Sequence, residues 1–166
     1  PASAMMVSLP DWREQRLDLL HMMRGRKPTP GDDREVVVSE PFAKANRFDL
    51  GSTFQALING RKRSLEVVGI ALSPEFVYAM GPGDMMPDDR RFGIVWMSER
   101  ALAAAWDLTG AFSTVHVALM RDAREAAVIE RLDDLLTRYG GLGAYGRKHQ
   151  TSHAFLDAEL KQLEAM

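Results

Sequence analysis

The stretch Glu35-Val-Val-Val-Ser-Glu-Pro-Phe-Ala-Lys-Ala-Asn46 decides the fold. The β-branched run Val36–Val38 favours a buried, extended strand. Ser39 stands where a helix N-cap belongs. Glu40 and Pro41 then fill the first turn, where an acid and a proline are both favoured. A helix to about Arg47 follows, with Phe42, Ala43 and Ala45 available for burial. Asp49-Leu50-Gly51 ends it. A strand feeding straight into a helix predicts a mixed architecture.

Downstream, Thr53–Ile58 and Ser64–Leu72 are strand-like runs on either side of Asn59-Gly60, the strongest short-range hairpin signal. The basic cluster Arg61-Lys62-Arg63 is expected at a solvated hairpin tip; contact with acidic lipid headgroups is the alternative. Ser73-Pro74-Glu75 carries a helix-start signature and predicts a short helix bearing Phe76, Val77, Tyr78 and Met80. Gly81–Arg91 is a loop. Phe92–Met97 is a strand, and Ser98 caps a helix to about Asp107. After a turn over Leu108–Phe112, Thr114–Met120 alternates, with Val115, Val117 and Leu119 on one face, as a half-buried strand does. From Asp122 or Ala123 to Tyr139 runs the clearest helix. Its stripe is Val128, Leu132, Leu135 and Tyr139, with Ile129 and Leu136 beside it, and Gly140-Gly141 stops it.

Upstream, residues 1–11 are apolar and turn-prone without a clear period. Trp12–Met23 fits either an alternating strand or a short helix. Gly25–Arg34, with two prolines and two glycines, is a loop. The last segment, Thr151–Met166, repeats Phe155, Leu156, Leu160, Leu163 and Met166 at helical spacing, with Thr151 or Ser152 as N-cap. No stop signal follows it. Together with the absence of an initiator methionine, this leads us to expect an excised piece of a longer chain. The fold class is α+β.

Composition narrows the function. Basic residues number 21 and acidic residues 23, a net charge of −2, so nucleic acid is not an expected partner. Cysteine is absent, which removes thiol nucleophiles, disulfides and cysteine-type metal sites. No apolar run reaches the ~18 residues of a membrane span. The chain shows no nucleophile elbow, P-loop or zinc-protease pattern. His149 and His153 are four apart, but zinc needs at least one further ligand. Asp84, Asp88 and Asp89 share a loop without EF-hand spacing, so a solvated acidic loop beside Arg90 and Arg91 is expected. Gly140-Gly141-Leu142-Gly143 follows a helix, whereas a dinucleotide loop follows a strand. No catalytic set, cofactor site or metal site is therefore expected. The candidate contact surface for a substrate or partner is apolar: Phe76, Tyr78, Met80, Met85 and Met86, with methionine suited to irregular or promiscuous contacts.

The ordered set Glu35–Asn46, then Leu50-Gly-Ser-Thr-Phe54, Ile58-Asn-Gly-Arg61 and Leu65-Glu-Val-Val-Gly-Ile-Ala71, resembles the extracytoplasmic domain of ABC-transporter permeases of the FtsX-like, MacB-like kind. Ser73–Tyr78, Arg91–Met97, Arg138-Tyr-Gly-Gly141 and Gly25-Arg26 extend the resemblance to roughly residues 20–166. Ser52 departs from the common pattern, which often has Asp there. The resemblance implies a non-enzymatic periplasmic domain inserted between the first two membrane helices of a bacterial permease. It implies three segments: 1–27, an N-terminal part of an α/β lobe close to the membrane; 28–111, a β-rich insert lobe; and 112–166, the returning strand and helices. Implied partners are the parent permease's membrane helices, a separate cytoplasmic ATPase subunit, and a second permease or periplasmic protein. The implied role is to couple ATP-driven motion to a lipid, lipoprotein, peptide or hydrophobic compound outside the cytoplasm. A stand-alone lipid- or peptide-binding protein is the alternative reading, followed by a small metal-dependent enzyme using His149, His153 and the acidic loop.

Overall fold

The computed structural model describes residues 1–164; the expected end of the last helix at Met166 lies outside them. The fold is α+β: a six-stranded mixed sheet and four α-helices. The chain divides into two compact units, residues 1–114 and residues 115–166.

The first unit holds the whole sheet. Its strands are β1 (Ser3–Leu9), β2 (His21–Gly25), β3 (Glu35–Ser39), β4 (Thr53–Ile58), β5 (Arg61–Leu72) and β6 (Phe92–Ser98), with helices α1 (Glu40–Asn46) and α2 (Glu99–Ala105). The sheet order is β1-β6-β3-β5-β2, and β4 also pairs with β5. β1 runs parallel to β6, and β3 parallel to β5; the β3/β6, β2/β5 and β4/β5 pairs are antiparallel. Residues 1–27 and 28–111 thus contribute strands to one sheet.

β3 lies at the centre of that sheet, which explains its three consecutive valines. Val36 and Val38 face one core with Phe42 and Ala43 of α1 and Ala101 and Ala105 of α2. Val37 faces the other with Leu9, Phe92, Ile94 and Trp96. A strand buried on both faces needs no polar alternation. Helices cover the first face. Leu20, Phe76 and Ala79, from segments without regular structure, and Met22 of β2 pack on the second.

The hairpin forms as its turn residues dictate. Asn59 and Gly60 adopt φ of 47° and 75°, the left-handed pair that a two-residue turn between twisted strands requires. Ile58 pairs with Arg61, so the basic run 61–63 lies inside β5 rather than beyond it. Arg63 there bonds Asp33 at 3.3 Å.

Several expectations are corrected. Residues 3–9, which show no period, form β1, because a strand at the sheet edge can bury either side only in part. Trp12–Leu20 has no regular structure, and the alternating reading holds only from His21. Ser73-Pro74-Glu75 does not start a helix: the Ser73 hydroxyl accepts the Glu75 amide at 3.2 Å and its carbonyl accepts the Phe76 amide, closing a turn. Thr114–Met120 is not a strand. A strand exists only in a ladder, and no strand pairs with this segment among the described residues. Ser39 precedes α1 as expected, but its hydroxyl accepts the Ile94 amide at 3.2 Å and makes no cap bond.

The second unit contains α3 (Glu125–Leu136) and α4 (Thr151–Glu164). A 3-10 turn over Thr137–Tyr139 follows α3, and Gly140 ends it at φ 81°. Val128, Ile129, Leu132 and Leu136 are the half-buried residues of the α3 stripe, while Leu135 and Tyr139 are exposed. At the start of α4 the Gln150 side chain accepts the His153 amide at 2.8 Å.

Candidate functional site

The loop between Ser73 and Arg91 carries the five residues singled out from the sequence, and the structure separates them. Phe76 turns inward, its ring 6.4 Å from that of Trp96, and packs on the β6 face of the core. Tyr78 and Met80 are half-buried. Met85 and Met86 stand out at 92% and 75% exposure. Val77, between Phe76 and Tyr78 and not singled out from the sequence, is exposed.

The base of this loop is tied down, and nearer its tip the Asp84 amide donates to the Gly81 carbonyl at 3.0 Å. Asp88 Oδ1 accepts the Arg90 and Arg91 amides at 3.1 and 3.3 Å. Asp88's carbonyl accepts those of Arg91 and Phe92. The Asn46 amide group, at the end of α1, donates to the carbonyls of Asp89 and Arg90. Burial, then the neighbouring Asp88 and Glu40 carboxylates, pushes the Asp89 carboxyl above its ordinary range. These bonds explain the acidic loop as an Asx-type turn that holds the backbone. Between the anchors, Asp84 and the two methionines face solvent.

A concave feature elsewhere was not legible in the sequence. An open groove of about 540 Å³ is lined by Met23, Arg24, Ala43, Arg47, Phe48 and Ile70. Arg24 pairs with Asp49 at 2.6 Å, and Lys44 pairs with Glu40. The groove joins residues from β2, α1 and β5, and no local motif announces such an assembly. Arg47, whose φ of 59° is left-handed, follows α1 and closes it with its own amide.

No constellation of nucleophile, base and orienting group accompanies either feature. His149 is exposed in a 3-10 turn and His153 half-buried on α4. Among the described residues no third ligand joins the two. No helix among the described residues is long and apolar enough to cross a membrane. No family model matches the chain, and no curated protein or solved structure matches it either.

Proposed function

We propose that this chain is the extracytoplasmic domain of a bacterial ABC-transporter permease of the FtsX-like, MacB-like kind, with a coupling rather than a catalytic role. One observation carries the reading. Most of the segments bearing the resemblance coincide with elements of one core, β3 and α1, the β4–β5 hairpin, and β6, whereas Ser73–Tyr78 and Arg138–Gly141 fall outside them.

The inward turn of Phe76 favours mechanical coupling over a binding cavity beneath the loop. The exposed Met85-Met86 tip suits contact with a periplasmic partner or an apolar cargo, because thioether side chains adapt to varied surfaces. The periplasmic location and the partnership with a cytoplasmic ATPase belong to the same proposal.

The test is the reading frame downstream of Met166 together with carbonate extraction of membranes from cells expressing the full gene. An apolar segment of about 20 residues shortly after Met166 and a carbonate-resistant product are expected. A stop codon at that point, or a product released by carbonate, overturns the proposal.

A further inference from the structure

The charges lining the open groove leave one cation over. Three cations line it, and two are paired within the lining: Arg24 with Asp49 at 2.6 Å, and Lys44 with Glu40, four residues earlier on α1. Arg47 is the third. It is exposed, and its guanidinium makes no ion pair or hydrogen bond among the described residues; only its amide is used, to close α1. The rest of the lining is apolar. Ala43 and Ile70 are buried, and Met23 is 46% exposed. Phe48 is held on two sides, stacked on Phe54 at 5.1 Å and edge-on to Phe42 at 5.8 Å. A fixed aromatic ring beside an adaptable thioether suits an apolar chain. The volume lies within the range of small-ligand sites, roughly 300–1,000 Å³.

Arg47 also stands where its side chain is out of place. Four described residues other than glycine have a positive φ: Asp18, Arg47, Asn59 and Asp107. Asp and Asn tolerate the left-handed region because a short polar side chain bonds locally there. Arginine does not, and the residue that ends a helix in this conformation is usually glycine. The fold thus carries a strained cation beside an apolar groove, and no contact within the described chain repays it.

We infer that the groove binds a single-chain amphiphile with one negative charge, a fatty carboxylate being the simplest. Its head meets Arg47 and its chain lies against Met23, Phe48 and Ile70. Charge complementarity singles out this occupant. A neutral chain leaves Arg47 without a partner. A cationic head meets Arg24, Lys44 and Arg47. A doubly charged head is opposed by Glu40 and Asp49 in the same lining. The inference stands apart from the transporter reading: laurate binding and the reading frame after Met166 are measured separately, and either can fail alone.

Isothermal titration with laurate below its micelle concentration is the first measurement, and saturable binding of one laurate per chain is expected. Dodecyltrimethylammonium, with the same chain length and a cationic head, should show none. Arg47→Glu should weaken laurate about tenfold or more, the loss of one charge-assisted contact. Arg47→Gly should weaken it similarly, yet leave Tm unchanged or raised, because glycine suits this φ. A merely structural arginine would not separate the two readouts. Methionine methyl resonances of the wild type locate the ligand without any variant: Met23 should shift on titration, and Met85 and Met86 should not. Failure of laurate to bind saturably overturns the inference, including the case where an acidic peptide binds in its place. So does equal affinity for the cationic amphiphile, or binding indifferent to both Arg47 variants. A lowered Tm for Arg47→Gly, or shifts at Met85 and Met86 in place of Met23, overturns it as well.

Discussion

At the residue scale, few side chains hold several segments together. Ser98, buried at the start of α2, donates to Asp11 Oδ2 at 2.9 Å and accepts the amides of Gly31 at 2.9 Å and Ala101 at 3.3 Å. Capping was legible from the sequence; the ties to Asp11 and Gly31 were not, because no local pattern encodes contacts 87 and 67 residues apart. Ser98→Ala should cost about 2 kcal/mol, read by urea denaturation. Glu35 behaves similarly. The Arg26 guanidinium bonds its carboxylate at 2.7 Å, and the Thr29 amide adds a bond at 2.7 Å. Led by the Arg26 bond, these hold the Glu35 carboxyl down to about 2, from an ordinary 4.5. Since the folded value lies below the unfolded one, this stabilisation is complete above about pH 4.5 and is lost as pH falls towards 2. Arg26 is more than half exposed, so solvent screening keeps the contribution at about 1–2 kcal/mol. Glu35→Gln should remove that amount at pH 7 and flatten the acid limb of a stability–pH curve measured by urea melts. Gly93 is set by packing alone: a Cβ there would lie 2.2 Å from the Phe42 ring. Gly93→Ala should cost about 1–3 kcal/mol through overpacking, visible as a lowered Tm.

At the element scale, what the sequence makes legible is whatever local chemistry decides. The valine run of β3, the turn at Asn59-Gly60 and the glycine after Tyr139 each use a conformation that the neighbouring residues already favour. β1 escaped notice because an edge strand buried only at Val7, Leu9 and Met6 shows no clean period. Thr114–Met120 misled for the converse reason. Its alternation suits a strand, but pairing is a property of two segments and cannot be read from one. Ser73-Pro74-Glu75 matches a helix start, yet Phe76 gains more by packing beside Trp96, and the chain turns instead. The open groove is likewise a product of topology, since Met23, Ala43 and Ile70 meet only once β2, α1 and β5 are assembled. Tightening the turn's demand offers a direct check. Gly60→Val forces a β-branched residue to φ 75° and should destabilise the hairpin by about 1–2 kcal/mol, measured by chemical denaturation.

At the scale of the whole molecule, residues 1–114 enclose a double-faced core while residues 115–166 form a smaller unit of two helices. The stretch from Asp107 to Arg124 is exposed throughout and lacks regular structure. Brief trypsin treatment should cut at Arg121 or Arg124 first and leave a resistant fragment containing the sheet, as mass spectrometry would show; cleavage beginning within β3 or β6 would contradict the two-unit organisation. The central claim is that this core faces the outside of a bacterial inner membrane, and the absence of cysteine makes that claim directly measurable. Met86→Cys, in the full-length gene product with its remaining cysteines replaced, places one thiol on the exposed loop tip. A membrane-impermeant maleimide applied to intact spheroplasts should label it as fully as after lysis. Labelling that appears only after lysis would put the domain in the cytoplasm and contradict the account.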